Sequence, residues 1–200
     1  MNSSKTDILI VGGGMVGLSI AHQLLERDVA QSICVLDKEP QLGLHSSGRN
    51  SGVLHAGLYY KPGSTKARVC VAGAKRLRAW VEEHGLIINP CGKVIVPQRI
   101  DLDAQLDLLA ERGQANGAEV EFLDEKQLRE LIPEARTANG RALWSPNTAV
   151  VKSIDVILTL QKELRQRGVQ FVHGTKKWKA NAGLKKLKFH DGIQISYGHL

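Results

Sequence analysis

A cluster of glycines between an apolar run and a helical pattern constrains this chain more than any other feature. Asp7-Ile-Leu-Ile-Val11 is short, apolar and rich in β-branched residues, as buried parallel strands are. Gly12-Gly-Gly14-Met-Val-Gly17 follows at once. From Met15 to Arg27, Val16, Ile20, Leu24 and Leu25 recur at helical spacing, so a helix is expected to begin on the glycines. Ser32 to Leu36 reads as a second buried strand, and Asp37 closes it 20 residues after Gly17. Together these make a βαβ unit with a GxGxxG turn and an acid at the end of the second strand. The physics of that pattern is specific. Gly12 permits the tight turn, and Gly14 lets backbone approach a pyrophosphate. Gly17 lets helix and strand pack closely, and Asp37 accepts from ribose hydroxyls. The bare helix N-terminus, with Met15 and Val16, offers N–H groups to phosphate, and Lys38 flanks the ribose acid. The expected fold class is α/β, with a Rossmann-like dinucleotide domain.

Further along, Lys66 to His84 is expected to be helical, with Val69, Ala72, Gly73, Leu77, Trp80 and Val81 toward one side. Lys93 to Pro97 reads as a strand, Asp101 to Asn116 as a helix and Glu119 to Leu123 as a strand. Asp124 with Gln127 forms the pattern of a capping box opening a short helix that ends before Pro133. Ser153 to Arg167 is an amphipathic helix stopped by Gly168, and Val169 to His173 is a strand. Lys177 to Lys179, Leu187 to His190 and Gln194 to Tyr197 suggest a small meander.

Composition narrows the function classes. Three cysteines, Cys34, Cys70 and Cys91, lie far apart without metal-ligand spacing, which argues against zinc and against a disulfide framework. Reduced thiols fit a cytoplasmic or matrix-like compartment. The N-terminus lacks the pattern of a signal peptide, and the longest apolar stretch, Ile8 to Ala21, falls short of the roughly 20 residues a membrane span needs. The net charge is +7, with six lysines between residues 176 and 188. Such a run is either a solvated hairpin or a surface for an anionic partner. Only three each of Phe, Trp and Tyr are present, poor material for stacking bases, so no nucleic-acid partner is expected.

The segment from His45 to Tyr60 is dense in hydrogen-bond donors spaced by glycines. HSSGRNSGVLHAGLYYKPGS, together with Cys91-Gly-Lys-Val-Ile-Val96, resembles the L-2-hydroxyglutarate oxidase/dehydrogenase family of the FAD-dependent, D-amino-acid-oxidase-like superfamily. The resemblance covers essentially the whole chain and is strongest over residues 7–97. It implies FAD, covalent or noncovalent, and oxidation of L-2-hydroxyglutarate, a small 2-hydroxy acid, to 2-oxoglutarate; the alternatives are a glycerol-3-phosphate or amino-acid oxidase of the same superfamily, or a non-catalytic truncated FAD-binding fragment. It also implies an inserted α+β portion of a substrate domain. The expected division is therefore 1–84 for the first part of the FAD domain, 85–150 for the substrate portion and 151–200 for the FAD domain continued. Members of that family are much longer than this chain. The sequence reads as the N-terminal part of such an enzyme, cut in mid-fold at a final strand, with the remainder absent or encoded separately. On its own, residues 1–200 are not expected to turn over substrate.

By the same resemblance Ser46, Ser47, Arg49, Asn50 and Ser51 would meet the pyrophosphate, the ribityl chain and the flavin edge; otherwise they form a polar surface loop. His55 is the catalytic candidate. It is either the base that takes the hydroxyl proton, a flavin hydrogen-bond partner or attachment point, or a structural histidine. Lys61, Lys66 and Arg68 either receive a dicarboxylate or simply solvate a helix start. Cys91 is taken as a structural thiol. The resemblance leaves open contact with a quinone and a peripheral place on the inner membrane face.

Overall fold

The computed structural model describes residues 3–175, 178–189 and 194–200. Lys176 and Lys177 of the basic run, and the expected strand ends at 177 and 190, lie outside the described residues. The chain divides into two compact units. One comprises Met1–Asn50 with Ser153–Leu200; the other is Ser51–Lys152. The divisions thus fall after residues 50 and 152, whereas the sequence reading put them after 84 and 150.

The first unit is an α/β layer built on a six-stranded sheet. Its elements are β1 (Ser3–Val11), α1 (Met15–Glu26), β2 (Ile33–Leu36), α5 (Ser153–Gln166), β9 (Gln170–Val172), β10 (Trp178–Asn181), β11 (Lys186–Phe189) and β12 (Gln194–His199). The strand order is β10-β11-β12-β1-β2-β9. β12, β1, β2 and β9 run parallel, while β11 pairs antiparallel with both β12 and β10. β2 is buried along its whole length, as a strand covered on both faces must be. Leu9, Cys34, Leu36, Leu187, Phe189, Ile195 and Tyr197 form one cluster across the sheet. The expected terminal strand is therefore interior. β12 lies between β1 and β11, with Ser4 opposite Ile195 and Leu187 opposite the same residue on the other side.

The helix α1 differs from its reading. Val16 is 74% exposed and Ile20 46%, while Gly17, Leu18 and Ala21 are buried. The cause lies in Gly17. A Cβ there would come within 2.0 Å of the Gly12 carbonyl oxygen, so this face is pressed onto the turn and Val16 rotates outward.

The second unit holds two small antiparallel sheets and three α-helices. α2 (Thr65–Glu83), α3 (Asp103–Ala115) and α4 (Glu125–Leu131) accompany sheets ordered β3-β8-β4 and β5-β7-β6. The strands are β3 (Val53–Leu54), β4 (Ile88–Asn89), β5 (Lys93–Ile95), β6 (Glu121–Asp124), β7 (Arg141–Ser145) and β8 (Ala149–Val151). Leu58, Leu106, Ala110 and Leu143 make a core here. α2 also turns differently from its reading. Val69 is 61% exposed, and Ala67 and Val81 are the residues it buries. The capping box of α4 is present: Gln127 N–H donates to Asp124 Oδ1 at 2.8 Å, and Asp124 N–H donates to Gln127 Oε1 at 2.9 Å.

Candidate functional site

In the first unit the site gathers at the C-terminal ends of β1, β2 and β9, where open parallel sheets receive ligands. Gly12 turns the chain with φ +107°, and its N–H donates to the Leu36 carbonyl at 2.7 Å. Gly14 is the N-cap of α1 and supplies no side-chain cap. A Cβ on Gly14 would sit 2.9 Å from Ser47 Oγ. That hydroxyl accepts from the Met15 N–H at 3.1 Å, taking one of the free donors of the helix start. Val16 is the next helical residue, and α1 carries no acid in its first turn to oppose an anion.

Asp37 follows β2. Its Oδ2 accepts from Gly13 N–H at 2.7 Å and its Oδ1 from Glu39 N–H at 2.8 Å. A carboxylate has about four acceptor positions, so each oxygen keeps capacity for a further donor. Lys38 is exposed, with Nζ 3.9 Å from Glu39 Oε1, and His45 Nε2 meets the same oxygen at 3.1 Å.

The loop after β2 is held locally. Asn50 Nδ2 donates to the carbonyls of Ser46 and Ser47 at 3.0 and 2.8 Å, and Asn50 Oδ1 accepts from Ser153 Oγ at 2.7 Å. Thus Asn50 ties the loop to the start of α5. Ser46 and Arg49 are exposed, and Ser51 is an exposed residue of the second unit.

Two residues escaped the sequence reading. Thr175 donates through both N–H and Oγ1 to the Asp37 carbonyl, at 3.4 and 3.3 Å. His173 Nε2 lies 3.2 Å from an Arg165 guanidinium nitrogen and 3.2 Å from Gln161 Nε2. Arginine only donates, so Nε2 must accept and Nδ1 carries the ring proton. Nδ1 is buried without a hydrogen-bond partner among the described residues. Burial, then Arg165, holds this imidazole below its ordinary pKa, against an opposing pull from Asp37. The signal was the pairing of β9 with β2, which brings residues after Val172 beside Asp37.

In the second unit His55 follows β3. Its ring meets the Tyr59 ring edge-on, centroids 6.0 Å apart. Burial first, and the charge of Lys93 second, hold its pKa below the usual imidazole value. It also lines a cavity of about 210 Å³ with Leu54, Val71, Lys75, Arg78 and Glu119. Arg78 is engaged there, donating to the Asn147 carbonyl at 3.1 Å. Lys61, Lys66 and Arg68 are exposed. Cys91 is exposed, with Sγ 3.4 Å from the Gly92 carbonyl oxygen. Among the described residues no group of His, Cys, Asp and Glu could hold a metal ion, and no helix is long and apolar enough to cross a membrane.

Comparison with known proteins decides the family. The FAD dependent oxidoreductase family matches residues 7–191. The chain belongs to the FAD-dependent oxidoreductase family. Its relatives include the mitochondrial L-2-hydroxyglutarate dehydrogenase of Nematostella vectensis, 39% identical over 167 residues, or 83% of this chain and 36% of that protein. The L-2-hydroxyglutarate dehydrogenase of Escherichia coli K12 is 37% identical over 168 residues, 84% of this chain and 39% of the relative. The chain thus spans well under half the length of these curated relatives. Among solved structures, glycine oxidase from Geobacillus kaustophilus superposes with a TM-score of 0.82 at 19% identity, covering 98% of this chain and 54% of that one. The FAD-bound L-alpha-glycerophosphate oxidase from Mycoplasma pneumoniae gives 0.78 at 21%, covering 98% and 53%. At such identities these two show the fold alone. The cofactor of this oxidoreductase family is FAD, and the first unit fits its dinucleotide half. The bare N-cap at Gly14 leaves room that a Cβ would fill, and Asp37 has acceptor capacity to spare.

Proposed function

We propose that this chain contributes the dinucleotide fold and the base to an enzyme that oxidises L-2-hydroxyglutarate to 2-oxoglutarate. The observation that carries the reading is the 37–39% identity to L-2-hydroxyglutarate dehydrogenases across more than four-fifths of the chain. Gly14, Met15, Val16 and Ser47 would hold the pyrophosphate, and Asp37 the adenosine ribose. Gly12 and Gly17 would shape that turn, with Lys38 at its edge. Ser46, Arg49, Asn50 and Ser51 would follow the cofactor toward its flavin end. When bound, FAD supplies the acceptor for a hydride from the substrate C2. His55 takes the hydroxyl proton. Its lowered pKa keeps the imidazole neutral near pH 7, and only the neutral ring can accept a proton. The 85–150 stretch belongs to the substrate side of the enzyme. The +7 charge supports a peripheral contact with an anionic membrane face, where a quinone could take the electrons. The relatives' greater length supports a remainder of the enzyme outside these 200 residues, carried on the same chain or on a second one.

The test is anaerobic bleaching of the flavin in the purified, FAD-loaded enzyme in which these 200 residues are joined by the remainder. L-2-hydroxyglutarate should bleach it and the D-enantiomer should not. Bleaching by glycerol 3-phosphate or an amino acid in its place, or by no 2-hydroxy acid at all, would overturn the reading.

A further inference from the structure

The Cys91-Gly92-Lys93 sequence has no role in the scheme above, yet the structure builds it with care. Gly92 adopts φ +66°, and a Cβ there would come within 1.8 Å of the Trp144 ring. Its N–H donates to the Thr148 carbonyl at 2.9 Å. Lys93 then enters β5 opposite Ser145 of β7. The turn therefore fixes where the lysine leaves the backbone, and only glycine fits the close approach to the indole.

The side chain ends over an aromatic face. Lys93 Nζ lies 4.4 Å from the centroid of the Tyr59 ring, the ring that His55 meets edge-on. Lys93 is half-buried and has no carboxylate partner among the described residues. A ring face attracts an ammonium but does not neutralise it, and two of the three N–H donors remain for another acceptor. The same charge already reaches the imidazole, where it opposes protonation. A fixed, unneutralised cation beside a neutral base is a site for an anion whose proton-bearing group lies next to its charge.

A 2-hydroxy acid has that shape, because its carboxylate and hydroxyl stand on adjacent carbons. We propose that Lys93, held over Tyr59 by the Gly92–Trp144 turn, binds the substrate carboxylate adjacent to the hydroxyl carbon and so presents the hydroxyl to His55. This rests on the reading of His55 given above. The other cations near His55 suit the task less well. Arg78 is committed to the Asn147 carbonyl, and Glu119 lines the same cavity as Lys75. Lys61, Lys66 and Arg68 stand in solvent, where a lone ion pair contributes little.

The experiment follows the His55 ring resonance by NMR while the purified protein is titrated with L-2-hydroxyglutarate, with lactate and with the neutral lactamide. Both carboxylates should shift the resonance, and lactamide should not. Lys93→Met should weaken carboxylate binding tenfold or more, and Lys93→Arg should restore most of it. In the ligand-free protein Lys93→Met should also raise the His55 pKa, because it removes the charge that opposes protonation. Lys93→Gln reads the same two quantities should the methionine variant fold poorly. Unchanged carboxylate affinity in the folded Met or Gln variant, or no shift by any carboxylate in the wild type, overturns the proposal. The functional reading fails differently: lactate binds through Lys93 while L-2-hydroxyglutarate does not.

Discussion

Between residues 12 and 17 the proposed cofactor contacts would be made by backbone N–H groups that glycine leaves bare, whereas around Tyr59 the proposed substrate contacts would be made by side chains from two segments more than 30 residues apart. In the first case the ligand-facing atoms belong to every residue, and the sequence must only remove what would cover them. In the second, the sequence must supply each functional group and also the fold that gathers them. Gly17 and Gly92 show the contrast in one residue type. A Cβ at Gly17 strikes a carbonyl of its own turn, five residues back. A Cβ at Gly92 strikes the indole of Trp144, delivered by a strand far along the chain.

Breaking the two glycines should separate the two regions. Gly17→Val is the larger insult, because the obstructing atom is backbone and cannot rotate away. It should cost about 3 kcal/mol or more and abolish FAD retention, since overpacking against fixed atoms reaches the upper end of the usual range. Gly92→Val should cost roughly 1–3 kcal/mol, because an aromatic side chain can yield in part. It should displace Lys93 while FAD retention stays near wild type. Urea midpoints and flavin content after dialysis measure both. Equal loss of flavin in the two variants would mean that the regions do not act separately.

Asp37→Ala comes next. It removes the acceptor for two backbone donors, one of them on the buried Gly13, before any ribose is considered. An orphaned buried donor costs about 1–3 kcal/mol, so a loss of stability should accompany the loss of FAD affinity. A variant that loses FAD affinity with an unchanged urea midpoint would show that these bonds are not needed to hold the turn.

The same division explains what could be read in advance. The βαβ unit, Asp37 and the capping box of Asp124 and Gln127 were legible because each depends on spacings within one short segment or one crossover. Asp124→Ala should accordingly cost about 1 kcal/mol, checked by the thermal midpoint. β3, β4, β7 and β8 were not legible. They are short, and their partners lie far away: Leu54 pairs with Ala149, and Ile95 with Leu143. Alternation cannot declare itself in the two or three residues of β3, β4 and β8, and the five of β7 are buried or intermediate without strict alternation. His173 was missed for a related reason. It reaches Asp37 only through the pairing of β9 with β2. Val16 and Val69 were misplaced because the buried faces run through Gly17, Leu18 and Ala21 in α1 and through Ala67 and Val81 in α2, faces that the apolar spacing did not single out.

The smallest expected effect uses one histidine from each region. Burial is the first cause that lowers the pKa of both His55 and His173. An unfolded imidazole titrates near about 6.5, so between that value and the lower folded one the unfolded chain binds more protons. Stability then rises with pH through this window. Each contribution is intact above about pH 6.5 and is lost as the pH falls through the folded pKa. Replacing either histidine by glutamine should flatten that slope, measured as urea midpoints between pH 5 and 8. The two should respond differently to their neighbours. Removing Lys93 lifts a repulsion from His55 and should soften its share of the slope. Removing Arg165 also lifts a repulsion from His173, but it takes away one of the two donors, beside Gln161, that fix Nε2 as acceptor. Lys93→Gln should therefore change only the slope, while Arg165→Gln should change both the slope and the His173 ring resonances at high pH. Identical behaviour in the two variants would show that the Arg165 contact does not help to set the tautomer.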